Sequence, residues 1–398
     1  MTKLFNRTVD EMLTLKELKE RLNLKRPLRI KYGVDVTAPF IHIGHAVNLW
    51  MMRELQGLGH KVIFLIGDFT TRIGDPTGKS ETRPIIPEEE IEENAQEFIQ
   101  QVSSILITDD DVFEIRRNSE WFDNMSTSHL ISLLSMVTHA RLISREMFQE
   151  RIGNNKEIYM HELIYPVLQG YDSLMIEADL TIVGTDQLFN EMMGRFFQEK
   201  FSQPPQVIIT TKITPGIDGK EKQSKSLGNY IALKDTPRDK FGKIMSVPDN
   251  LIMPYLEVYT MVPLEEIVVI RQSLEKGMIN PRDTKLFLAE KIVERYHGTK
   301  IALHEKEFFV KTFSEKETPT DIPELTIREE KMNVLHLLKI LFPDISNSEC
   351  KRLIMQGAVD LNGDRLVDPV EVRKLETGDV IRVGKRNWRR LNIAKNPD

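Results

Sequence analysis

Two histidines stand three residues apart in His42-Ile43-Gly44-His45, just ahead of a segment whose Leu49, Met52 and Leu55 form a helical stripe. At a helix N-terminus, free backbone amides and imidazole N–H groups gather at one end and attract anionic oxygens. A glycine between them lets a ribose or base approach the backbone. The arrangement suits the phosphates of a nucleoside triphosphate. A metal centre would need further ligands, and neither a cysteine nor paired acids stand at ligand spacing nearby. Far downstream, Lys222-Gln223-Ser224-Lys225-Ser226 follows the loop-like GIDGKEK. Two ammonium groups on a mobile loop can close over a triphosphate and offset the charge that builds as pyrophosphate departs. Alone, the first motif is common to many nucleotidyl-transferring sites and the second reads as a solvated loop. One triphosphate shared by both would account for the two together.

These residues need a scaffold. LRIKYGVDVT (28–37) reads as a buried strand that breaks into a loop, and KVIFLIG (61–67) as a second. DLTIV (179–183) and QVIIT (206–210) follow, with helical segments at 88–103 and 127–151. Strand, loop, helix and strand in alternation predict a parallel sheet with crossover helices. The N-terminal stretch carries acids and a helical period rather than the apolar core of a signal peptide. From about residue 236 the chain becomes a series of amphipathic helices, the last entered at Pro281 and stopped at Gly298. The charged, proline-containing stretch 314–331 reads as a linker, after which a short helix ends at Gly357 and AVDLNGDRL turns back on itself through Asn-Gly. The domain expectation is therefore a catalytic α/β domain over 1–235, a helical domain over 236–313, the linker, and a small domain over 332–398.

Composition bounds the remaining classes. With 398 residues, 40% hydrophobic and 29% charged, the chain supports two or three soluble domains. No apolar run approaches the roughly 18 residues needed to span a bilayer. A single cysteine, Cys350, offers no disulfide framework and fits a reducing cytoplasm. The net charge is −6, yet residues 330–398 carry 13 Lys+Arg against 10 Asp+Glu, leaving a basic tail on an acidic body. Such a tail is suited to local contact with phosphates. One decoy falls away: Gly74-Asp-Pro-Thr-Gly78-Lys79-Ser80 resembles a P-loop, but three residues rather than four separate the glycines, and Ile73 occupies the required glycine position.

The two motifs together are similar to the signature pair of class I aminoacyl-tRNA synthetases. Around them lie Asp35-Val36-Thr37-Ala38-Pro39, Ile73-Gly74-Asp75-Pro76-Thr77-Gly78, Tyr165 with Gln169 and Asp172, and Gly184-Thr185-Asp186-Gln187. This ordered set resembles the bacterial tyrosyl-tRNA synthetases, and the likeness runs the length of the chain. It implies a Rossmann-type parallel-sheet nucleotide-binding domain, an all-helical domain on the anticodon side of tRNA, and a small α+β S4-like RNA-binding domain. It also implies that L-tyrosine is activated with ATP, accompanied by Mg²⁺, and passed to the terminal ribose of tRNA(Tyr). By the same resemblance the enzyme is a cytoplasmic homodimer that engages no membrane.

Residue by residue, the resemblance places ATP phosphates against His42, His45 and Thr37, with Gly44 and Asp35 beside them. It puts the ribose on Asp186, and pyrophosphate under Lys222, Lys225, Lys79 and Arg83, with Ser226 also binding ATP. Asp75, Tyr165 and Gln169 would surround the tyrosine ammonium, with Gln187 on the carboxylate side. Tyr165, Gln169 and Asp172 share one helix face, and Asp172 would accept a hydrogen bond from the phenol. Many bacterial relatives add a tyrosine four residues before the aspartate of the first loop. Here that position is Lys31, and Tyr32 comes one residue late. In the tail, Lys351, Arg352, Lys385, Arg386, Trp388 and Arg389 would meet tRNA, with Trp388 able to stack on a base. Core packing is the plainer reading of Trp388.

Rival readings are a tryptophanyl-tRNA synthetase, an RNA-binding paralogue without catalysis, and a small-molecule adenylating enzyme. The first needs no acid to meet a phenol and normally lacks the basic tail domain. The second has no need of both intact motifs, and the third leaves the tail unexplained.

Overall fold

The computed structural model describes residues 5–37, 39, 41–75, 86–224, 227–314, 322–384 and 387–394. They fall into two compact units, Met1–Leu303 and His304–Asp398.

The first unit is built on a six-stranded sheet of β1 (Val9–Leu13), β2 (Arg29–Val34), β3 (Lys61–Ile66), β4 (Phe113–Arg117), β5 (Leu180–Gly184) and β6 (Val207–Thr211). Their spatial order is β1-β6-β5-β2-β3-β4, with every pair parallel except β1 against β6. The central strands are buried on both faces, which is why KVIFLI and VIITT read as near-continuous apolar runs. Helices Ile43–Gln56 and Glu88–Val102 cover one face through Leu49, Met52, Ile91, Ala95 and Phe98, packed on Ile30, Tyr32, Val62 and Phe64. Helices Met160–Met175 and Leu188–Lys200 cover the other, with Val167, Leu168, Met193 and Phe197 against Ile63 and Leu65. From β2 the chain moves outward to β3 and β4, then returns to β5 on the other side. The β2/β5 junction is thus the switch point, where a doubly wound sheet opens a crevice at its strand C-termini. The two strands are paired only at Ile30–Leu180 and Lys31–Thr181, so they separate toward that end.

Helices Pro237–Met245, Ile252–Tyr259, Leu264–Glu275 and Pro281–His297 belong to this first unit. Pro237 and Pro281 each sit in the first helical turn, behind the caps Thr236 and Asn280, and Gly298 ends the helix Pro281–His297 at φ 84°, before a further helix, Thr299–Phe309. Two sequence expectations are corrected here. The helical period of the N-terminus is broken into Phe5–Thr8 and Leu15–Leu22, because Val9–Leu13 between them is recruited as an edge strand by β6. Residues 127–151 form three short helices, Thr127–Ser135, His139–Ile143 and Glu146–Gly153, the first two capped afresh by Ser126 and Thr138.

The second unit carries β7 (Glu324–Ile327), β8 (Lys331–Asn333), β9 (Val359–Leu361), β10 (Asp364–Leu366), β11 (Val372–Lys374), β12 (Val380–Val383) and β13 (Asn387–Ile393). Five of them form a sheet ordered β10-β9-β12-β13-β7. The Asn-Gly turn is as expected, with Asn362 at φ 53° and Gly363 at φ 93°, the two positive angles that a tight two-residue hairpin demands. Helices Val334–Leu341 and Asn347–Met355 pack on the sheet through Leu337, Leu338, Cys350 and Ile354. The stretch expected as linker is strand in part: Glu324–Ile327 pairs in parallel with Arg390–Ile393, a non-local contact that local composition does not announce.

Candidate active site

The crevice at the β2/β5 junction gathers three groups of side chains. The nucleotide-like group starts at His42, which caps the helix Ile43–Gln56 and accepts the Gly44 N–H through Nδ1 at 3.2 Å. The His42 N–H points at His45 Nδ1 at 3.5 Å, and the two rings lie 3.8 Å apart. A neutral imidazole that accepts through Nδ1 carries its proton on Nε2, so each ring presents one N–H donor. Gly44 is required by close approach, since a Cβ there would stand 2.9 Å from the His42 ring. The free amides expected at this helix start are not free: Ile43 N–H donates to Ile231 and Gly44 N–H to His42. At this helix start the imidazoles, rather than those two amides, are the donors suited to an anion.

The same Ile43–Ile231 bond ties the two distant motifs together. Leu233 N–H donates to Ile41, and His42 bridges Ala232, so the segment after the lysine loop is stitched to the histidine motif. Buried Gln223 lies beside Gly44, 3.6 Å from where a Cβ would stand. From the same loop, Lys222 Nζ pairs with Asp186 Oδ2 at 2.7 Å. Asp186 sits in the short 3₁₀ turn Thr185–Gln187 at the end of β5.

The second group is a chain of hydrogen bonds across the floor. Asp35, just past β2, accepts from Tyr165 Oη at 2.9 Å and Thr70 Oγ1 at 2.8 Å. Asn118 donates to Thr70 at 2.9 Å and to Asp172 Oδ2 at 3.4 Å, and Trp121 Nε1 donates to Asp172 Oδ1 at 3.0 Å. Burial and the neighbouring Asp35 carboxylate push the Tyr165 phenol well above its ordinary range, so its O–H stays a donor. Burial pushes the Asp172 carboxyl up to about 8, against the pull of Lys31 and of its two hydrogen bonds.

The third group is amide-rich. Gln187 Nε2 donates to Asp75 Oδ2 at 2.8 Å, and Asn190 Nδ2 donates to Gln169 Oε1 at 2.7 Å and Gln187 Oε1 at 3.1 Å. Gln169 Nε2 donates to Glu191 Oε1 at 2.9 Å, and Glu191 Oε2 pairs with Lys31 Nζ at 2.8 Å. Arg145, buried, lies over the Phe189 ring at 5.3 Å and within the field of Asp75.

The structure thus brings together His42, Gly44, His45, Asp35, Asp186, Lys222, Tyr165, Gln169, Asp172, Asp75 and Gln187, with half-buried Thr37 two residues past Asp35. Lys79, Arg83, Lys225 and Ser226 lie outside the described residues, as do Lys385 and Arg386. Tyr32 does not join the site. A strand turns successive side chains to opposite faces, so Tyr32 stacks on Phe64 in the far core while Lys31 faces Glu191 and Ser173. Sequence reasoning missed Asn190 and Glu191, although they follow Gln187 by three and four residues, the spacing of one helix face. It also missed Thr70, Asn118 and Trp121, whose approach depends on tertiary packing alone.

In the second unit, Lys351 is exposed, while Arg352 is exposed and engaged by Glu349 at 2.5 Å. The Arg382 guanidinium lies 5.2 Å from the Trp388 ring, and Arg389 lies 4.9 Å from Phe342.

Residues 22–314 match the family described as tRNA synthetases class I (W and Y). The tyrosine–tRNA ligase of Moorella thermoacetica is 44% identical over 376 residues, covering 94% of this chain and 91% of that protein. The tyrosine–tRNA ligase of Thermotoga maritima is 43% identical over 390 residues, covering 98% and 96%. Among solved structures, the C-terminally truncated mitochondrial tyrosyl-tRNA synthetase of Aspergillus nidulans is similar at a TM-score of 0.63 and 19% identity, covering 78% of this chain and 93% of that one. The tyrosyl-tRNA synthetase of Archaeoglobus fulgidus, complexed with L-tyrosine, is similar at 0.59 and 20%, covering 76% and 98%. At those identities the structural likeness speaks for the fold. The sequence relatives speak for more: the chain belongs to the class I tRNA synthetases (W and Y), and within them to the tyrosine–tRNA ligase family.

Proposed function

We propose that the crevice at the β2/β5 junction activates L-tyrosine with ATP and that the tyrosyl group then passes to the terminal ribose of tRNA(Tyr). The observation that carries this reading is the stitching of Ile41–Ile43 to Ile231–Leu233, which sets two donor-bearing motifs around one space. His42 and His45 present Nε2–H donors to the ATP phosphates, with Thr37, Gly44 and Asp35 alongside. Asp186 takes the ribose hydroxyls. Lys222, with Lys225, Lys79 and Arg83, covers the pyrophosphate, Ser226 also binds ATP, and Mg²⁺ arrives with ATP as part of the substrate. Asp75, Tyr165 and Gln169 receive the tyrosine ammonium, Gln187 stands on its carboxylate side, and Asp172 accepts the phenol O–H.

A tyrosine carboxylate oxygen attacks the α-phosphorus in line, an O–P bond forms, and the bond to the β,γ-pyrophosphate breaks. The protein supplies position and compensating charge, and no covalent enzyme intermediate is needed. In the second step a ribose hydroxyl of tRNA attacks the acyl carbon and AMP leaves. The second unit holds tRNA through Lys351, Arg352, Trp388 and Arg389, together with Lys385 and Arg386. The working enzyme is a cytoplasmic homodimer; among the described residues no helix is long and apolar enough to cross a membrane.

ATP–pyrophosphate exchange with each amino acid in turn tests the assignment. Strong exchange is expected with tyrosine alone, and exchange with tryptophan alone, or none, overturns it. Removing residues 315–398 is expected to leave tyrosine-dependent exchange within about twofold and to cut tRNA charging by more than about tenfold. The cut belongs before Glu324–Ile327, because a cut at 332 would strand a β-strand whose partner is lost. Equal loss of both activities contradicts the division of labour.

A further inference from the structure

We infer that Lys31, clamped between Glu191 and Ser173, is a specificity-determining positioning residue: its buried ammonium stands in for a second phenol contact by holding Asp172 ready to accept the tyrosine hydroxyl. The inference rests on the tyrosine-site reading above.

Lys31 is 1% exposed, in the middle of β2. Its Nζ reaches Glu191 Oε2 at 2.8 Å and donates to Ser173 Oγ at 2.7 Å, and Ser173 is the residue next to Asp172. A buried ion pair contributes little net stability, because both charges lose water. This one, however, is not isolated. Glu191 also accepts from Gln206 at 2.8 Å and from Gln169 at 2.9 Å, so both of its carboxylate oxygens are engaged and fixed. The lysine is thereby held where its positive charge acts on Asp172, on the face opposite Tyr32.

The groups that face Asp172 can be named element by element. From β2 comes Lys31, which favours the charged carboxylate, and from just beyond β2 comes Asp35, which opposes it. From its own helix comes the Tyr165 phenol, and from the helix Leu188–Lys200 comes Glu191, engaged by Lys31. Trp121 and Asn118 contribute hydrogen bonds, with the Arg116 guanidinium 5.6 Å beyond the Trp121 ring. Asp68 is turned away toward Ser119 and Arg117. Among these groups Lys31 is the cation placed to offset the desolvation of Asp172. A phenol donates more strongly to a carboxylate than to a carboxylic acid. Phenylalanine gains nothing from that charge, so the lysine reads tyrosine through Asp172.

The test is kcat/KM for tyrosine and phenylalanine in ATP–pyrophosphate exchange between pH 6 and 9. In the unaltered chain the tyrosine value is expected to climb as Asp172 ionises, toward a plateau above about 8, while the phenylalanine value stays flat. Lys31→Met is expected to move that climb about one pH unit toward alkali. At pH 7 this lowers both tyrosine kcat/KM and the tyrosine/phenylalanine ratio about tenfold, mainly through KM, with recovery toward pH 9. Because Lys31→Met leaves Glu191 buried without its cation, Lys31→Met/Glu191→Gln is measured beside it. Replacing both charges with neutral groups of similar volume preserves the fold, and a smaller displacement in the same direction is expected. A ratio and profile unchanged in the double variant, or equal loss for both amino acids at every pH, would reduce Lys31 to a structural strut and overturn the inference. Asp172→Asn separates the two levels: if it leaves the ratio intact, the tyrosine-site reading itself fails, whereas collapse there with no effect of Lys31 sinks only the lysine.

Discussion

Asp172→Asn is expected to cost the enzyme its choice of tyrosine over phenylalanine while making the protein harder to melt. The carboxyl lies buried at the foot of the crevice, accepting from Trp121 and Asn118, with its ionisation resisted by desolvation. A phenol O–H that lands on it satisfies a buried acceptor, and a phenyl ring leaves that acceptor bare. Tyrosyl-tRNA synthetases are the standard example of this effect, with a known discrimination of about 10⁵. Asparagine retains a carbonyl acceptor but no charge, so a loss of about 10² in the tyrosine/phenylalanine ratio is expected. The stability effect follows from the same burial. Because the folded carboxyl titrates near 8 and the unfolded one near 3.8, the group's contribution is fully present below about 4 and is lost as pH rises through about 8. Thermal melts at pH 5 and pH 8 should therefore show the variant gaining on the parent by a widening margin. A variant that melts lower at pH 8, or that keeps its ratio, contradicts this account.

Lys222→Ala is expected to lower the rate of adenylate formation about 10²–10³-fold without raising the KM for ATP, the pattern of a lost transition-state contact. Lys222 Nζ pairs with Asp186 Oδ2 at 2.7 Å. The proposed ribose site and the proposed pyrophosphate cation are thus each other's partner, and ATP competes with that pairing. The alanine variant removes the competitor for Asp186 along with the charge that would stabilise the leaving group, so ground-state binding holds or improves while chemistry suffers. Single-turnover adenylate formation across ATP concentrations separates the two. A raised KM with an unchanged rate would assign Lys222 to simple binding.

Much of this site was legible because its residues announce themselves locally. The histidine and lysine motifs are short and ordered, and Tyr165, Gln169 and Asp172 fall on one face of one helix. Strands β2, β3, β5 and β6 were visible as apolar runs because both of their faces are covered. What escaped notice was non-local. Val9–Leu13 becomes a strand only because β6 offers an edge, and Glu324–Ile327 only because Arg390–Ile393 does. Asn118 and Trp121 reach Asp172 from about 50 residues upstream, a meeting no periodicity encodes. Lys31 and Tyr32 were legible in principle: the two-residue period of a strand already says that neighbours cannot share a pocket. The free amides expected at the histidine motif failed for the same non-local reason, because Ile231 had claimed one of them.

The antiparallel edge strand also sets a schedule for biogenesis. Val9 pairs with Thr211, so this segment has its partner among residues made roughly 200 positions later. At about 5–20 residues per second, that segment waits some 10–40 s with its hydrogen-bonding edge bare. Its side chains are a partial safeguard, since Asp10 and Glu11 place charge on the waiting strand and discourage mispairing with other nascent chains.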